Sequence, residues 1–393
     1  MSDIKIFAKS IDPKAKEQLA ALSQLPVFQG CKIRIMPDVH TGKGCVIGFT
    51  AELSDKVIPN VVGVDIGCGM LLTKIESSDI DFQKLDKVIR TYVPVGKGIH
   101  TSPIETYDYS SLRMTLTDKE KEYFDNSLGT LGGGNHFIEI DRGEDGSFYL
   151  LLHTGSRAFG ARVADFYQKK AIASHSLDKE WEEEKRKIIH QRKVEGNVEQ
   201  IPEDLKKLTL LYQGKTDLPK PLCYLEGEES KAYLNDMKIA QQFALFNRRL
   251  IRDILFEHMG WKKGESRECI HNYIGEDNII RKGAVSAHQG EPLIIPLNMK
   301  DGVILGTGLG NEDWNCSAPH GAGRKLARSK AKEELKVEDF KKEMEGIFST
   351  TVSRATLDEA PGAYKDPVDI LTYLPQTAKI EEILKPVYNF KAG

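Results

Sequence analysis

One histidine in this chain is framed for approach. The segment Cys316-Ser317-Ala318-Pro319-His320-Gly321-Ala322-Gly323-Arg324 sets His320 between a proline and two glycines. Pro319 restricts the angle at which the chain enters. Gly321 and Gly323 leave backbone N–H groups uncovered, so a phosphate can lie against the loop beside the imidazole. Taken alone, such a segment is more often a turn with an exposed histidine. Other reactive groups in the chain change those odds.

The first of these is Asp65-Ile66-Gly67-Cys68-Gly69, which follows an apolar run and presents a carboxylate and a thiol in one glycine-rich turn. That spacing suits a metal ion. His136, His153 and His271 each stand beside or at the end of an apolar, strand-like run. A lone histidine in such a place is usually a satisfied core residue. Together with the Asp and the Cys, however, the three histidines are better explained as one ligand set than as separate accidents. Imidazoles and a thiolate suit zinc, whereas the carboxylate admits a harder ion such as manganese, and ligand softness leaves both open.

A second signal is Gly132-Gly133-Gly134-Asn135-His136-Phe137-Ile138-Glu139. The glycines let the backbone approach a ligand, and strand periodicity places Asn135 and Glu139 on one side with His136 on the other. One short segment can then serve a metal and a polar ligand together. Familiar nucleotide signatures are missing: there is no GxxxxGK[ST], and Gly306-Thr307-Gly308-Leu309-Gly310-Asn311 fits GxGxxG only in part. More distinctive is Pro296-Leu297-Asn298-Met299, which leads toward His320.

These groups need rigid elements to hold them. Between residues 33 and 75, short apolar runs broken by glycines (IRIMP, GCVIGF, VIPNVVGVDIGCGMLL) read as buried strands joined by tight turns. A helix is expected from Asp81 to Arg90, then strands at Phe137–Ile140 and Phe148–Leu152. A longer helix, Glu228 to His258, carries a stripe of Tyr233, Met237, Ala240, Ala244, Ile251 and Leu255 and stops at Gly260. Strand character returns at Cys269–Tyr273, Val285–Ala287, Leu293–Ile295 and Val303–Leu305. Residues 176–222 are dense in charge (WEEEKRKIIHQRK, PEDLKKLTLL) and are expected to form a helical insertion within one domain spanning 1–393. The fold class that follows is α+β: a single large mixed domain with a strand-rich central core, outer helices and that insertion.

With 40% hydrophobic and 29% charged residues the composition is that of a globular protein, and no apolar run approaches the ~20 residues of a membrane span. The amino terminus, MSDIKIFAKS, lacks an apolar signal stretch, which leads to the expectation of a cytoplasmic protein. Six scattered cysteines make no disulfide framework in a chain of 393 residues. A net charge of −3 excludes general electrostatic attraction to nucleic acid, so a reader of nucleic acid needs a local basic patch. Arg324, Lys325, Arg328, Lys330 and Lys332 offer one; Lys185, Arg186, Lys187, Arg192 and Lys193 read as a solvated helix face.

Taken in order, MPDVHTGKG at 36–44, VGVDIGCGM at 62–70, LGTLGGGNHFIEI at 128–140, HTGSR at 153–157, HNY at 271–273, RKGAVSA at 281–287, HGAGR at 320–324 and EAPGAYKD at 359–366 resemble the RtcB family of RNA ligases. The resemblance implies two manganese ions, one held by Asp65, Cys68 and His136, the other by Cys68, His153 and His271, with the thiolate bridging. It implies that His320 attacks the α-phosphate of GTP to give a histidine-guanylate. The guanylate then passes to an RNA 3′-phosphate, itself made from a 2′,3′-cyclic phosphate, and a 5′-hydroxyl end displaces GMP. It places Asn135, His136, Phe137, Ile138, Glu139, His271, Asn272, Pro296, Leu297, Asn298, Met299, Gly321, Ala322, Gly323 and Lys391 around the guanine nucleotide. It also implies a monomer, served by an activating accessory protein.

The chain departs from the family where many members carry Pro-Gly-Ser-Met at 296–299, an arginine at 288 and a serine at 327; here the residues are Pro296-Leu297-Asn298-Met299, His288 and Ala327. Those departures mark a divergent branch, for which dedication to RNA repair rather than tRNA splicing is expected. Two other readings compete. A metal-dependent RNA phosphodiesterase or phosphatase would use the same cluster to activate water and would not need His320. A non-catalytic RNA- or nucleotide-binding module would gain nothing from a bridging thiolate.

Overall fold

The computed structural model describes residues 2–175, 178–212 and 218–392. The apolar runs of the sequence become two large sheets. One has five strands, in the order Asp3–Ile6, Lys32–His40, Ile47–Glu52, Ile279–Lys282 and Asn272–Ile274. The other has seven: Pro292–Asn298, Gly302–Gly308, Ala378–Lys391, Phe137–Arg142, Phe148–Thr154, Gly69–Ile75 and Lys263–Ile270. Every neighbouring pair in the seven-stranded sheet is antiparallel. This sheet curls until its edge strands meet, and the Cys269 thiol donates to the Ile294 carbonyl at 3.3 Å.

Curling gives the sheet two buried faces, which explains why its strands read as continuous apolar runs rather than alternating ones. Met70, Leu72, Phe137, Leu151, Ile294, Val303, Leu305 and Leu384 fill the inside. Leu71, Ile138, Ile140, Leu150 and Leu152 point outward onto Ile251 and Leu255 of the long helix Gly227–Met259. That helix ends where Gly260 turns left-handed at φ 73°, as the glycine stop predicts. Its whole expected stripe, from Tyr233 to Leu255, is buried. Helices and strands thus share one large α+β domain. Among the described residues no helix is long and apolar enough to cross a membrane.

Some expectations change. The run from Val57 to Leu72 is not all strand: Lys56–Val57 pairs briefly, Pro59–Val62 makes one helical turn, and the long strand begins only at Gly69. Pro59 sits at the start of that turn, where its fixed φ favours a helix, and Gly63 at φ 104° ends it. Cys269–Tyr273 is likewise two strands in two sheets, with His271 at the crossing. A helix at Arg157–His175 went unread although Phe159, Val163, Tyr167 and Ala171 bury one face at four-residue spacing. Within 176–222, helices Asp178–Val194 and Ile201–Tyr212 are joined by the Arg192–Asp204 ion pair at 2.7 Å. Leu222, by contrast, is buried in the main core. Residues 176, 177 and 213–217 lie outside the described set.

Candidate metal centre and nucleotide cleft

Strand order brings the reactive side chains together. The strands carrying Met70, His153 and Phe137 are adjacent, with Met70 opposite His153 and His153 opposite Phe137. His136 immediately precedes its strand, and Asp65 and Cys68 lie on the turn that enters theirs. His271 comes in from the sheet crossing, where its N–H donates to the Cys68 carbonyl at 2.9 Å. Buried Arg248 of the long helix holds the turn and the neighbouring strand by donating to the carbonyls of Gly67 and Thr154 at 2.9 and 2.8 Å.

The five side chains form two triads that share Cys68: Asp65, Cys68 and His136, and Cys68, His153 and His271. Within each triad the ligand atoms lie within 4.8 Å of one another. Cys68 Sγ is 3.6 Å from His136 Nε2 and 3.3 Å from His153 Nε2; His153 Nε2 is 3.4 Å from His271 Nε2, and His136 Nε2 is 3.1 Å from Asp65 Oδ2. The far ring nitrogens explain this convergence. His136 Nδ1 faces the Leu131 carbonyl at 2.9 Å and His153 Nδ1 faces that of Asn135 at 3.0 Å, so both Nε2 atoms point to the shared centre.

Electrostatics agree with a cation-ready cluster. Burial, reinforced by neighbouring imidazoles, pushes His153 and His271 well below the usual histidine range, so both rings are neutral, the form that could bind a cation. Burial and the adjacent Asp65 charge push the Cys68 thiol up, and cation binding would release its proton. Burial alone would raise Asp65, but hydrogen bonding and charge from His136, helped by Cys68 and Arg157, hold it at about 2. Asp65 Oδ1 also accepts from the Ser156 N–H at 3.2 Å, a contact that requires Gly155: a Cβ there would sit 2.0 Å from the same oxygen. Three imidazoles, one shared thiol and one carboxylate fit two divalent ions.

His320 follows a short strand, Ser317–Pro319, paired with Ala284–Ser286. Its ring lies 4.9 Å from that of His271. Sequence reading missed its partner. Asp38, fully buried in the strand Lys32–His40, takes His320 Nδ1 at 2.6 Å and the His320 backbone N–H at 3.1 Å on one oxygen, Oδ2. With Nδ1 protonated toward Asp38, the Nε2 lone pair is free, the tautomer a nucleophile needs. Gly323 permits this approach: its φ is +75°, and a Cβ would stand 2.4 Å from the Asp38 carbonyl. The signal was within reach, since Asp38 lies in the MPDVHTGKG motif.

A cleft of 1280 Å³ joins the cluster to His320. Alternate residues Asn135, Phe137 and Glu139 line it, along with Gly321, Ala322, Gly323 and Lys391. Ile138 does not: it faces the outer core and is fully buried there. His136 is buried behind the wall. Asn272 lines the cleft, but its amide is engaged by the backbone, donating to the Asp65 carbonyl at 3.2 Å and accepting from the Gly283 N–H at 3.0 Å. The 296–299 loop forms a wall in which Leu297 and Met299 pack inward and Asn298 caps its own turn through the N–H groups of Lys300 and Asp301.

A second unread residue organises the far side. Buried Glu359 binds Lys391 Nζ at 3.1 Å, Arg328 at 2.6 Å, Arg324 at 3.1 Å and the Tyr364 hydroxyl at 2.5 Å. Burial would raise its carboxyl, but those cations and the Tyr364 hydrogen bond hold it at about 2. Of the basic patch after His320, Arg324, Arg328 and Lys332 therefore face the acids Asp358 and Glu359. Lys325 and Lys330 stand exposed on the cleft rim.

Comparison with known proteins agrees with this geometry. The family model described as "tRNA-splicing ligase RtcB" matches residues 18–117 and 108–392. The RNA-splicing ligase RtcB of Escherichia coli K12 is 31% identical over 408 residues, covering 92% of this chain and 91% of the relative. RNA-splicing ligase RtcB2 of a second E. coli strain is 26% identical, covering 97% and 93% of the two chains. The tRNA-splicing ligase RtcB of Thermococcus kodakarensis is 24% identical, covering 93% and 88%. With its motifs assembled in one cleft and its length matched almost throughout, the chain belongs to the RtcB ligase family.

Proposed function

We propose that this protein is a GTP- and manganese-dependent RNA ligase that joins 3′-phosphate or 2′,3′-cyclic phosphate ends to 5′-hydroxyl ends. The observation that carries the reading is His320, oriented by Asp38 and opening onto the same cleft as the two triads. Manganese held by Asp65, Cys68, His136, His153 and His271 would neutralise phosphate charge and fix the triphosphate for in-line attack. His320 Nε2 attacks the α-phosphorus, an N–P bond forms, and the bond to the β-phosphate oxygen breaks as pyrophosphate leaves. Asp38 keeps the Nδ1 proton and stabilises the positive charge that develops on the ring.

Asn135 and Glu139 hold the guanosine, with Lys391 fixed beside them by Glu359. An RNA 3′-phosphate oxygen then takes the guanylyl group from His320, and the 5′-hydroxyl attacks that activated phosphate and expels GMP. Lys325 on the rim, beside Lys330, which is shared with Glu334 at 3.7 Å, supplies local positive charge that the chain as a whole lacks. A metal-dependent phosphodiesterase would use the same triads but leaves the Asp38–His320 pair without a task.

The test is covalent labelling. Incubation with GTP labelled at the α-phosphate and Mn²⁺ should transfer label to the wild-type chain, and His320→Ala should abolish the transfer. A wild type that takes no label with any divalent ion ends the proposal.

A further inference from the structure

The inside of the curled sheet holds an acid that neither the triads nor His320 uses. Asp141 lies two residues beyond Glu139 on the strand Phe137–Arg142, on the same face, and is fully buried. Among the described residues neither of its carboxyl oxygens has a hydrogen-bond donor. Its cross-strand neighbours are Tyr149 and Pro386, and Pro386 has no N–H to give. Leu151, Val303 and Leu384 belong to the same apolar interior. An ionised carboxylate there, cut off from bulk solvent and without a protein donor among the described residues, is strongly disfavoured.

The polar group that Asp141 meets is the Glu139 carboxyl. Glu139 is better provided for: Asn389 Nδ2 donates to it, the Lys391 charge stands near, and it reaches the cleft. Two facing acids in a buried site do not both ionise, and a single proton between them removes both the repulsion and the missing donor. Burial raises both groups. Asp141 is raised further because the Glu139 charge opposes its own ionisation, whereas Asn389 and Lys391 hold Glu139 down.

We propose that Asp141 is a neutral acid whose O–H donates a hydrogen bond to Glu139, and that it acts as a positioning residue. It keeps Glu139 ionised and directed at the cleft, where the carboxylate can accept the two adjacent N–H groups of a guanine edge. This rests on the guanine-nucleotide reading of the cleft. The base is then selected by a hydrogen-bonded pair of acids rather than by Glu139 alone.

The test compares wild type with Asp141→Leu and Asp141→Asn, reading the GTP dependence of histidine labelling, with ITP, whose base lacks the amino group, as the comparison. Asp141→Leu removes the donor but fills the space with an apolar side chain. The GTP concentration for half-maximal labelling should rise about tenfold, the scale of one lost charge-assisted hydrogen bond. The maximal rate should stay within about twofold, and the preference for GTP over ITP should shrink. Asp141→Asn retains a donor and should stay within about threefold of wild type.

A leucine variant with wild-type GTP dependence overturns the proposal, as does an asparagine variant as weak as the leucine one. Wild type should also show the infrared C=O band of a protonated carboxylic acid at neutral pH, lost in Asp141→Asn. Absence of that band overturns the proposal even if the leucine variant does not fold. A wild type that takes no label from GTP is a different result, since it removes the guanine-nucleotide reading itself.

Discussion

Asp38→Asn is the sharpest perturbation of the proposed chemistry, because it changes one buried atom and leaves the triads alone. Both bonds from His320 end on a single oxygen, Asp38 Oδ2, while Oδ1 has no partner among the described residues. An asparagine has two ways to fit. With its oxygen at the Oδ2 position it buries an NH₂ group with no acceptor and replaces a charged acceptor by a neutral one. Turned over, it points NH₂ at Nδ1, which forces the ring proton onto Nε2 and removes the nucleophilic lone pair.

The milder outcome forfeits a charge-assisted hydrogen bond of about 1.5–3 kcal/mol, equivalent to roughly 10- to 150-fold in rate. The harsher resembles a carboxylate-to-amide change behind a catalytic histidine, which costs on the order of 10⁴-fold. The single-turnover rate of His320 labelling by GTP should therefore fall by about 10- to 10⁴-fold. Metal content and the unfolding temperature are controls that separate this from damage to the fold. A folded, metal-loaded Asp38→Asn that labels within about threefold of wild type would refute the orienting role of Asp38.

Because Cys68 is shared by both triads, Cys68→Ala should weaken two ion sites at once, so that metal analysis of the purified protein falls toward zero rather than to half; retention of one ion per chain would contradict a bridging thiol. Glu359 is held at about 2 against an ordinary 4.5, so its stabilisation is full above about pH 4.5 and is lost as pH falls toward 2. The shift corresponds to roughly 3 kcal/mol. Glu359→Gln should lower the unfolding free energy at neutral pH by about that much, because Arg324, Arg328 and Lys391 lose a buried counter-charge. The difference between variant and wild type should narrow in acid, and a gap that stays constant from pH 7 to pH 3 would contradict it.

Much of the centre was legible because its residues announce themselves locally. Asp65 and Cys68 share a glycine turn, and His136, His153 and His271 border apolar runs; those patterns survive in the structure as strand ends and a sheet crossing. The long helix was readable from its apolar stripe and its glycine stop. Less visible were features that depend on what lies opposite. Ile138 sits between two cleft-lining residues, yet alternation turns it into the outer core. Asn272 and Asn298 are polar enough to suggest ligand contacts, but their amides satisfy nearby backbone groups.

Residue types and spacing alone therefore determined which groups could bind metal, which histidine stood open, and that strands must hold them. Tertiary structure decided who meets whom. Asp38 reaches His320 across 282 positions of sequence, and Glu359 gathers Lys391 from 32 residues away. Asp141 becomes a problem only when the curl closes over it. The physical reason is that periodicity records which face of an element a side chain takes, whereas contact and desolvation depend on strand order and register, which no local window contains.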